Sequence, residues 1–267
     1  PGSREEALRA ELDRRIGQAD PALSPAALSL IAIRTGQRHA GSDDPFREIK
    51  KHNNRMALRL YPDLKERAGR APDPLRLACQ LAACGNIIDL GIHEDFDIHA
   101  TIEKVLREGF ARDDYGSFVE LITQIHHEKA APRLLYICDN AGEIVFDRIF
   151  IEELLRVFPR MAITAVVRQV PVLNDATMDD ARETGLTEVV RVIDNGNAEL
   201  GTVFSTASDE LRNAFAEADV IVSKGQANYE TLPHDHERLF FILKAKCEVI
   251  AASLGVNLWD AVMLRGG

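Results

Sequence analysis

The sequence predicts an α/β protein in which an all-helical N-terminal half precedes a parallel, doubly wound sheet. Residues 4 to about 130 show one helical signal after another without strand-like alternation. Beyond about Pro132, apolar runs of strand length alternate with helical patterns. That alternation is typical of a parallel sheet with helices on both faces. We therefore expect a helical domain at residues 1–130 and an α/β domain at residues 131–267.

Composition and charge narrow the function classes. The 267-residue chain has a formal net charge of −10 and a pI near 5.3, which argues against generic binding to nucleic acid or to an anionic membrane. The four cysteines are scattered without a Cys-x-x-Cys pair, so free thiols in a reducing compartment are expected. No apolar run approaches the ~18 residues that span a membrane, and no signal peptide is recognisable. We expect a soluble cytoplasmic protein, and its oligomeric state is not predicted.

Three pairs of a capping residue and a proline mark helix starts in the N-terminal half: Ser24-Pro25, Asp44-Pro45 and Asp73-Pro74. The helix that follows the second pair is expected to end at Tyr61-Pro62, because proline inside a helix removes a backbone hydrogen bond and clashes with the preceding turn. Further helical patterns follow at about 98–108 and 115–127.

The α/β half alternates five predicted strands with four predicted helices. The strands are expected at residues 133–138, 162–167, 189–193, 220–223 and 240–243. The helices are expected at residues 143–157, 176–184, 207–218 and 247–254. In open α/β sheets, ligands bind beyond the carboxyl ends of the strands, so the segments that follow each strand are where a site is expected.

The stretch LLYICDNAGEIVFDRIF, residues 134–150, places polar side chains at the end of a buried strand. Asp139 and Asn140 follow the strand, Ala141-Gly142 forms a small-residue turn, and a helical pattern begins at Glu143. Asp139 and Asn140 are candidate metal ligands, although Asp and Asn are also favoured helix N-caps. Glu143 would equally complement the helix dipole.

Three more polar clusters follow later predicted strands: Arg168, Asn174, Asp175 and Thr177; Gly196, Gly201 and Thr202; and Ser223, Lys224, Gly225, Gln226, Asn228 and Glu230. With Asp139 and Asn140, Asp175 completes two carboxylates and one amide oxygen, a set that suits Mg²⁺ or Mn²⁺ rather than zinc. Lys224 beside Gly225 would bring a point charge to a phosphate. Asp175 as an N-cap and Lys224-Gly225 as a solvated turn are the structural alternatives. Capping does not explain polar groups at four successive strand ends, so we favour a metal and phosphate site.

Seven segments form a joint pattern that is more specific than any one of them: DNAGE (139–143), VLNDAT (172–177), Gly201-Thr202, KGQANYETL (224–232), KAKCEVIA (244–251), DPFREIKKHNNRMAL (44–58) and GNIIDLG (85–91). In these segments, which are spread over nearly the whole chain, the protein resembles the damage-control phosphatases, the domain of unknown function 89 superfamily. Many prokaryotic members begin with a Cys-x-x-Cys pair. Since this chain has no cysteine before Cys79, no role of that pair is transferred to it.

The resemblance implies a Rossmann-like α/β/α domain with an appended helical domain, and a phosphatase activity that depends on a divalent metal (Mn²⁺, Mg²⁺, Co²⁺ or Ni²⁺). It implies metal ligands at Asp139, Asn140 and Asp175 and a phosphate-contacting lysine at Lys224. Two positions of the helical half, Asn86 and Asp89, match positions that reach into the site. Four further candidate substrate contacts fall in matching motifs: Glu143, Arg168, Asn174 and Gln226.

The leading hypothesis is hydrolysis of a phosphomonoester of a small metabolite, such as a sugar phosphate or a damaged relative. Asp139, Asp175 and Lys224 are the candidate catalytic residues. With a metal at the site, phosphate charge would be neutralised and a water positioned for attack. Lys224 and the backbone N–H groups at the Gly142 and Gly225 turns would stabilise the transferring phosphoryl group; an aspartyl-phosphate at Asp139 is also chemically open.

Two alternative functions stay open. The first is a protein-carboxylate methyltransferase that uses S-adenosylmethionine, although the glycine-rich loop expected for that cofactor is missing after the first strand. The second is a non-catalytic module that binds a phosphometabolite. Calorimetry with S-adenosylmethionine and a phosphate-release assay would separate the three hypotheses.

Overall fold

A computed structural model describes residues 2–23, 25–85 and 98–267 of the chain. In these ranges the N-terminal half contains six helices: α1 (Gly2–Gly17), α2 (Pro25–Ala40), α3 (Arg47–Arg70), α4 (Pro74–Cys84), α5 (Ile98–Glu108) and α6 (Tyr115–Glu128). Helix α4 begins as predicted, because Asp73 accepts a hydrogen bond from the Arg76 N–H and Pro74 occupies the first turn. No helix of the described ranges is long and apolar enough to cross a membrane.

Helix α3 continues through Pro62, so the predicted break at Tyr61-Pro62 is wrong. Proline forfeits a backbone hydrogen bond, but tertiary contacts on both sides of it hold the helix. The Tyr61 hydroxyl donates to Glu152 at 2.7 Å, and the next turns bury Leu64 and Ala68 in the core. Burial of the apolar face therefore outweighs the local preference for a break.

Among the described residues, seven strands form one mixed sheet in the order β1-β7-β6-β5-β2-β3-β4. The strands are β1 (Arg112–Asp113), β2 (Arg133–Ile137), β3 (Ala162–Val167), β4 (Arg191–Asp194), β5 (Val220–Lys224), β6 (Leu239–Lys244) and β7 (Ala261–Arg265). Strands β2 to β6 are parallel, as predicted. Strand β7 is antiparallel to β6 and pairs in parallel with β1. The sequence pattern predicts neither β1 nor β7. The two residues of β1 are both charged, and the four apolar residues of β7 before Arg265 show no clear period.

The helices between the strands cover both faces of the sheet: α7 (Glu143–Val157), α8 (Met178–Glu183), α9 (Asp209–Glu217), α10 (Gln226–Thr231) and α11 (Glu248–Leu254). Successive side chains of a strand point to opposite faces. From β2, Leu134 and Tyr136 enter a buried cluster with residues of α4, α6 and α7. Leu135 and Ile137 enter a second cluster with residues of α9 and α11. The fold is therefore a three-layer α/β/α arrangement.

The helical half shares the first of these clusters with the α/β half. Leu81 of α4 and Phe118 of α6 lie in the same cluster as Phe150 of α7, and the rings of Phe118 and Phe150 are 6.0 Å apart. Because apolar contacts are continuous across residue 130, the predicted division into two domains there stays a prediction. The same packing brings α3 to the turn after β2 and α4 to Lys224, the last residue of β5.

Candidate active site

Backbone pairing beyond β2 and β3 brings the three predicted metal ligands together. Asp139 and Asn140 follow β2, and Asp175 lies in the loop after β3. The Ala176 N–H donates to the Asp139 carbonyl at 2.8 Å, and Asn140 faces Asp175 in an isolated antiparallel bridge. The two predicted strand ends therefore meet at one point of the sheet rim.

None of these three side chains caps a helix. The N-cap of α7 is Gly142, and no side chain makes a capping hydrogen bond there. Helix α8 is capped by Thr177, whose side chain and backbone form a capping box with Asp180. The capping alternative considered for the three residues therefore does not hold, and their buried oxygens need another explanation.

The two carboxylates of the set are buried and affect each other electrostatically. Asp139 is 6% exposed and Asp175 is 4% exposed. Burial raises the pKa of Asp139 well above its usual range, and the charges of Asp175 and Glu143 raise it further. Burial also raises the pKa of Asp175, against the opposing effect of Arg168. A divalent cation between the two carboxylates would relieve this repulsion and favour their charged forms.

The donor set fits such a cation. Oδ2 of Asp139 accepts from Asn140 Nδ2 at 2.8 Å, and Oδ2 of Asp175 accepts from Arg168 Nε at 2.6 Å. Within the described ranges, the other oxygen of each carboxylate accepts no hydrogen bond. No three His, Cys, Asp or Glu side chains of the described chain come together as metal ligands, so the mixed carboxylate and amide set is the candidate. Oxygen ligands of this kind suit Mg²⁺ and Mn²⁺.

Lys224 is enclosed by acceptors, so its interpretation as part of a solvated turn is wrong. Its Nζ donates to Glu143 Oε1 at 2.5 Å, to Asp147 Oδ1 at 2.7 Å and to the Ala82 carbonyl at 2.8 Å. These three acceptors match the three protons of the ammonium group, and the side chain is fully buried. A contact to phosphate would need Lys224 to exchange one of these partners, and that role stays a prediction.

Glu143 joins Lys224 to the candidate ligands. One carboxylate oxygen accepts from Lys224, and the other accepts from Asn140 Nδ2 at 3.2 Å. The end of α4 packs directly on this side chain, because a Cβ added at Gly85 would lie 2.4 Å from Glu143 Cγ. The amide of Asn140 is therefore held by two carboxylates, those of Asp139 and Glu143.

Arg168 holds Asp175 rather than facing solvent. It is 3% exposed, and its guanidinium donates to Asp175, to the Gly201 carbonyl and to Asn228 Oδ1. Asn228 also accepts from the Thr202 hydroxyl at 2.8 Å. Thr202 therefore helps to hold the side chain that anchors Arg168. The predicted contact of Arg168 with substrate stays a prediction.

Two glycines shape the site through their backbones. Gly142 and Gly225 have φ values of 78° and 81°, which favour glycine. A Cβ at Gly225 would lie 2.0 Å from Asp139 Oδ2, so only glycine fits beside that carboxylate. The Gly142 N–H donates to Asn54 Oδ1 at 2.7 Å, and the Gly225 N–H donates to the Ile242 carbonyl at 3.0 Å. Their predicted contacts with phosphate would require those partners to be exchanged.

The remaining predicted contacts are more peripheral. Gln226 accepts from the Lys246 N–H at 3.1 Å and so connects the start of α10 to the loop after β6. The Asn174 carbonyl accepts a backbone hydrogen bond at 2.9 Å from the turn after β2. Asn86 and Asp89 lie outside the described residues, so the predicted closure of the site by these two side chains stays a prediction.

The sequence analysis missed two neighbours of the site, Asn54 and Lys246. Asn54 is fully buried and accepts from Gly142. Lys246 is half-buried and lowers the pKa of both Asp139 and Asp175 against the larger effect of burial. Both lie inside segments that carry the resemblance, 44–58 and 244–251. No local pattern distinguishes them from other polar residues of those segments.

An α/β/α fold with buried carboxylates at the carboxyl rim of its parallel strands defines a class of proteins with a ligand site at that rim. The family profile of the damage-control phosphatase ARMT1-like domain matches residues 4–262. The chain belongs to this family, and the resemblance stated from its motifs is confirmed.

Individual relatives agree with the profile. The chain is 35% identical over 246 residues to a damage-control phosphatase of Pyrococcus horikoshii, covering 91% of this chain and 82% of the relative. It is 34% identical over 224 residues to a damage-control phosphatase of Archaeoglobus fulgidus, covering 83% and 76%. The crystal structure of a DUF89 family protein from Pyrococcus horikoshii superposes with a TM-score of 0.86 at 30% identity, covering 100% of this chain and 91% of that one.

Proposed function

We propose that the protein is a phosphatase that depends on a divalent cation and hydrolyses phosphomonoesters of small metabolites. Relatives named damage-control phosphatases support the reaction class. The observation that carries the proposal is the pairing of Asn140 with Asp175. It places two buried carboxylates and an amide where α/β sheets bind their ligands.

Asp139, Asn140 and Asp175 would hold the cation. When bound, such a cation neutralises the charge of a phosphate group and lowers the pKa of a bound water. Without it, the carboxylates of Asp139, Asp175 and Glu143 would repel a phosphate, so activity should require it. The four candidate cations Mn²⁺, Mg²⁺, Co²⁺ and Ni²⁺ are to be distinguished by measurement.

The surrounding residues orient the donors and face the phosphate. Arg168 fixes the carboxylate of Asp175, and Glu143 fixes the amide of Asn140. We propose that Lys246 contacts the phosphate, because this lysine is partly exposed and its charge lowers the pKa of both Asp139 and Asp175. Lys224 is enclosed by three acceptors, and its place in the proposal is to hold Glu143.

The proposed substrate is small, and the proposed compartment is the cytoplasm. A formal charge of −10 opposes the approach of a polyanion such as a nucleic acid or an anionic membrane. Cys79, Cys84, Cys138 and Cys247 are all free, which suits a reducing compartment. Burial raises the pKa of Cys84 to about 12 and that of Cys138 well above its usual value, so neither thiol is an activated nucleophile.

A phosphate-release assay tests the proposal. A panel of sugar phosphates and nucleotides is incubated with Mg²⁺, Mn²⁺, Co²⁺ or Ni²⁺, and in parallel with excess chelator. Turnover is expected with at least one cation and is expected to disappear in chelator. Asp175→Asn should lower turnover by about 100-fold while the circular dichroism spectrum is retained.

Three other outcomes would contradict the proposal. Turnover that persists in excess chelator would exclude the cation. Saturable binding of S-adenosylmethionine without phosphate release would favour the methyltransferase. Binding of Mn²⁺ and phosphate without turnover of any ester would favour the non-catalytic module.

A further inference from the structure

Asn54 of α3 contacts both chain segments that carry the candidate metal ligands. Its Oδ1 accepts the Gly142 N–H at 2.7 Å, in the turn that follows the first two ligands. Its Nδ2 donates to Asp180 Oδ1 at 2.9 Å, in the helix that follows the third. A single side chain of the helical half, itself fully buried, therefore bridges the two segments.

The partners of Asn54 allow only one orientation of its amide. The Gly142 N–H needs an acceptor, and the carboxylates of Asp180 and Glu183 need a donor. An aspartate at position 54 would keep the contact with Gly142 but would turn a negative charge toward two other carboxylates. This position therefore requires one donor and one acceptor on the same short side chain.

Asp180 in turn accepts hydrogen bonds from the loop that carries Asp175. Its Oδ2 accepts from the backbone N–H and the hydroxyl of Thr177 at 2.9 Å and 2.7 Å. Lys50 Nζ lies 3.5 Å from the same oxygen. Since Thr177 is only two residues beyond Asp175, a displacement of Asp180 would move the third candidate ligand with it.

We propose that Asn54 is a positioning residue that fixes the spacing between the turn at residues 139–143 and the segment at residues 175–180. The proposal rests on the proposed function, because its consequence is that the spacing sets the affinity of the site for a divalent cation. The contact spans 88 residues of sequence. The helical half is thus part of the framework of the site, in addition to being a packing layer.

Two substitutions test the proposal as a pair, Asn54→Asp and Asp180→Asn. Both are made together with Glu183→Gln, because Asn54 also donates to Glu183 and that carboxylate would otherwise still repel an aspartate at position 54. In either single variant, two groups of the same kind face each other, two carboxylates in the first and two amide NH₂ groups in the second. In the double variant the carboxylate and the amide have exchanged places. The introduced carboxylate then accepts from Gly142 and from the introduced amide, whose oxygen still accepts from Thr177.

Leu64→Ala is the matched control, because Leu64 is a buried residue of the same helix, nearly three turns beyond Asn54. It creates a cavity and destabilises α3 without changing the bridge. Two quantities are measured for every variant. One is the dissociation constant of Mn²⁺ by calorimetry, and the other is amide hydrogen exchange of residues 139–145 without added metal, by mass spectrometry.

Each single variant is expected to weaken Mn²⁺ binding by about 10-fold or more and to accelerate exchange at residues 139–145. The double variant should return both quantities to within about threefold of the original chain. Leu64→Ala should change neither quantity while lowering the melting temperature.

Unchanged exchange at residues 139–145 in both single variants overturns the proposal. A double variant no better than the single variants overturns it as well, since the bridge would then not depend on complementary partners. If the original chain binds no Mn²⁺, the proposed function fails. In that case the role of Asn54 in holding the two segments is still tested, because the exchange measurement uses no metal.

Discussion

Arg168 Nε lies 2.6 Å from Asp175 Oδ2 in an ion pair that is buried on both sides. A second arm of the guanidinium donates to Asn228 Oδ1 at 3.1 Å, so the arginine is itself anchored. Removal of one member of a buried pair leaves the other uncompensated. The orientation and charge of this candidate ligand therefore depend on a residue that the sequence analysis assigned to the substrate.

Arg168→Gln should weaken Mn²⁺ binding by about 10- to 100-fold at neutral pH, in the range seen for partners of metal ligands. Burial raises the pKa of Asp175 and Arg168 lowers it, so loss of the guanidinium should raise that pKa further and disfavour the charged ligand. Calorimetry measures the effect. Arg191→Gln, which removes an exposed arginine paired with Glu210, is the control. An unchanged affinity for Mn²⁺ in Arg168→Gln would contradict the assignment.

Gly225→Ala should abolish or strongly weaken cation binding, because the added Cβ would lie 2.0 Å from Asp139 Oδ2 and displace the carboxylate. Gly255→Ala separates this clash from backbone strain, since Gly255 has a φ of 66° and a Cβ there meets nothing within 4 Å. The left-handed backbone should cost Gly255→Ala about 1 kcal/mol of stability. The cost should reach about 3 kcal/mol in Gly225→Ala, because the ψ of 162° at Gly225 combines with a positive φ in a region open essentially to glycine alone. Only Gly225→Ala should lose Mn²⁺ affinity. Equal Mn²⁺ affinities in the two variants would show that Gly225 does not shape the cation site.

Lys246→Ala should raise the KM for a phosphomonoester by about 10-fold and change kcat less, as expected if a ground-state contact with phosphate is lost. Lys104→Ala removes an exposed lysine paired with Glu108 and should leave both constants unchanged. Steady-state kinetics with a substrate found in the phosphate-release screen provide the measurement. A fall in kcat at constant KM would place Lys246 in a different role.

Asp147, the second carboxylate partner of Lys224, should titrate near neutral pH. Burial raises its pKa to about 6 despite the opposing effect of Lys224, and its Oδ2 accepts no hydrogen bond from the described residues. The usual value is near 3.8, so between about pH 4 and 6 the folded protein binds a proton that the unfolded chain releases. The contribution of this group to folding stability is therefore greatest below about pH 4 and is lost as the pH rises through about 6.

Carbon-13 NMR of labelled aspartate checks this titration, with Asp147→Asn to assign the resonance. Tyr136→Phe should move the midpoint upward, because the Tyr136 hydroxyl donates to Asp147 at 2.7 Å and lowers its pKa. A midpoint near 3.8 in the original chain would show that Lys224 fully compensates the burial of Asp147.

The parallel part of the sheet was predictable because each of its strands is a distinct apolar run between helical patterns. Strand β3 occupies the predicted residues, and β2 ends one residue before the predicted end at Cys138. Strand β7 was not predictable, since its direction and neighbours are set by pairing with β6 and β1 and not by its own residue pattern. The same limit applies to Pro62, whose helix is held by Glu152 and the core.

At the site, residue types at strand ends predicted which side chains meet, because parallel strands deliver their carboxyl ends to one edge. They did not predict which partners those side chains take. Lys224 and Arg168 are both in the expected place, but buried acceptors enclose them. The choice of acceptor depends on helices far away in sequence, as with Ala82 for Lys224. No local pattern contains that information.

The short strand β1 has a consequence for the order in which the protein assembles. It pairs only with β7 within the described sheet, and the adjacent Asp114 accepts from the Arg265 N–H, 151 residues further along the chain. Pairings between such distant segments form slowly. As the chain leaves the ribosome, β1 emerges long before its partner, while β2 to β6 find theirs within a shorter length of chain. We therefore expect this edge of the sheet to close after the parallel strands have paired, once β7 has been synthesised.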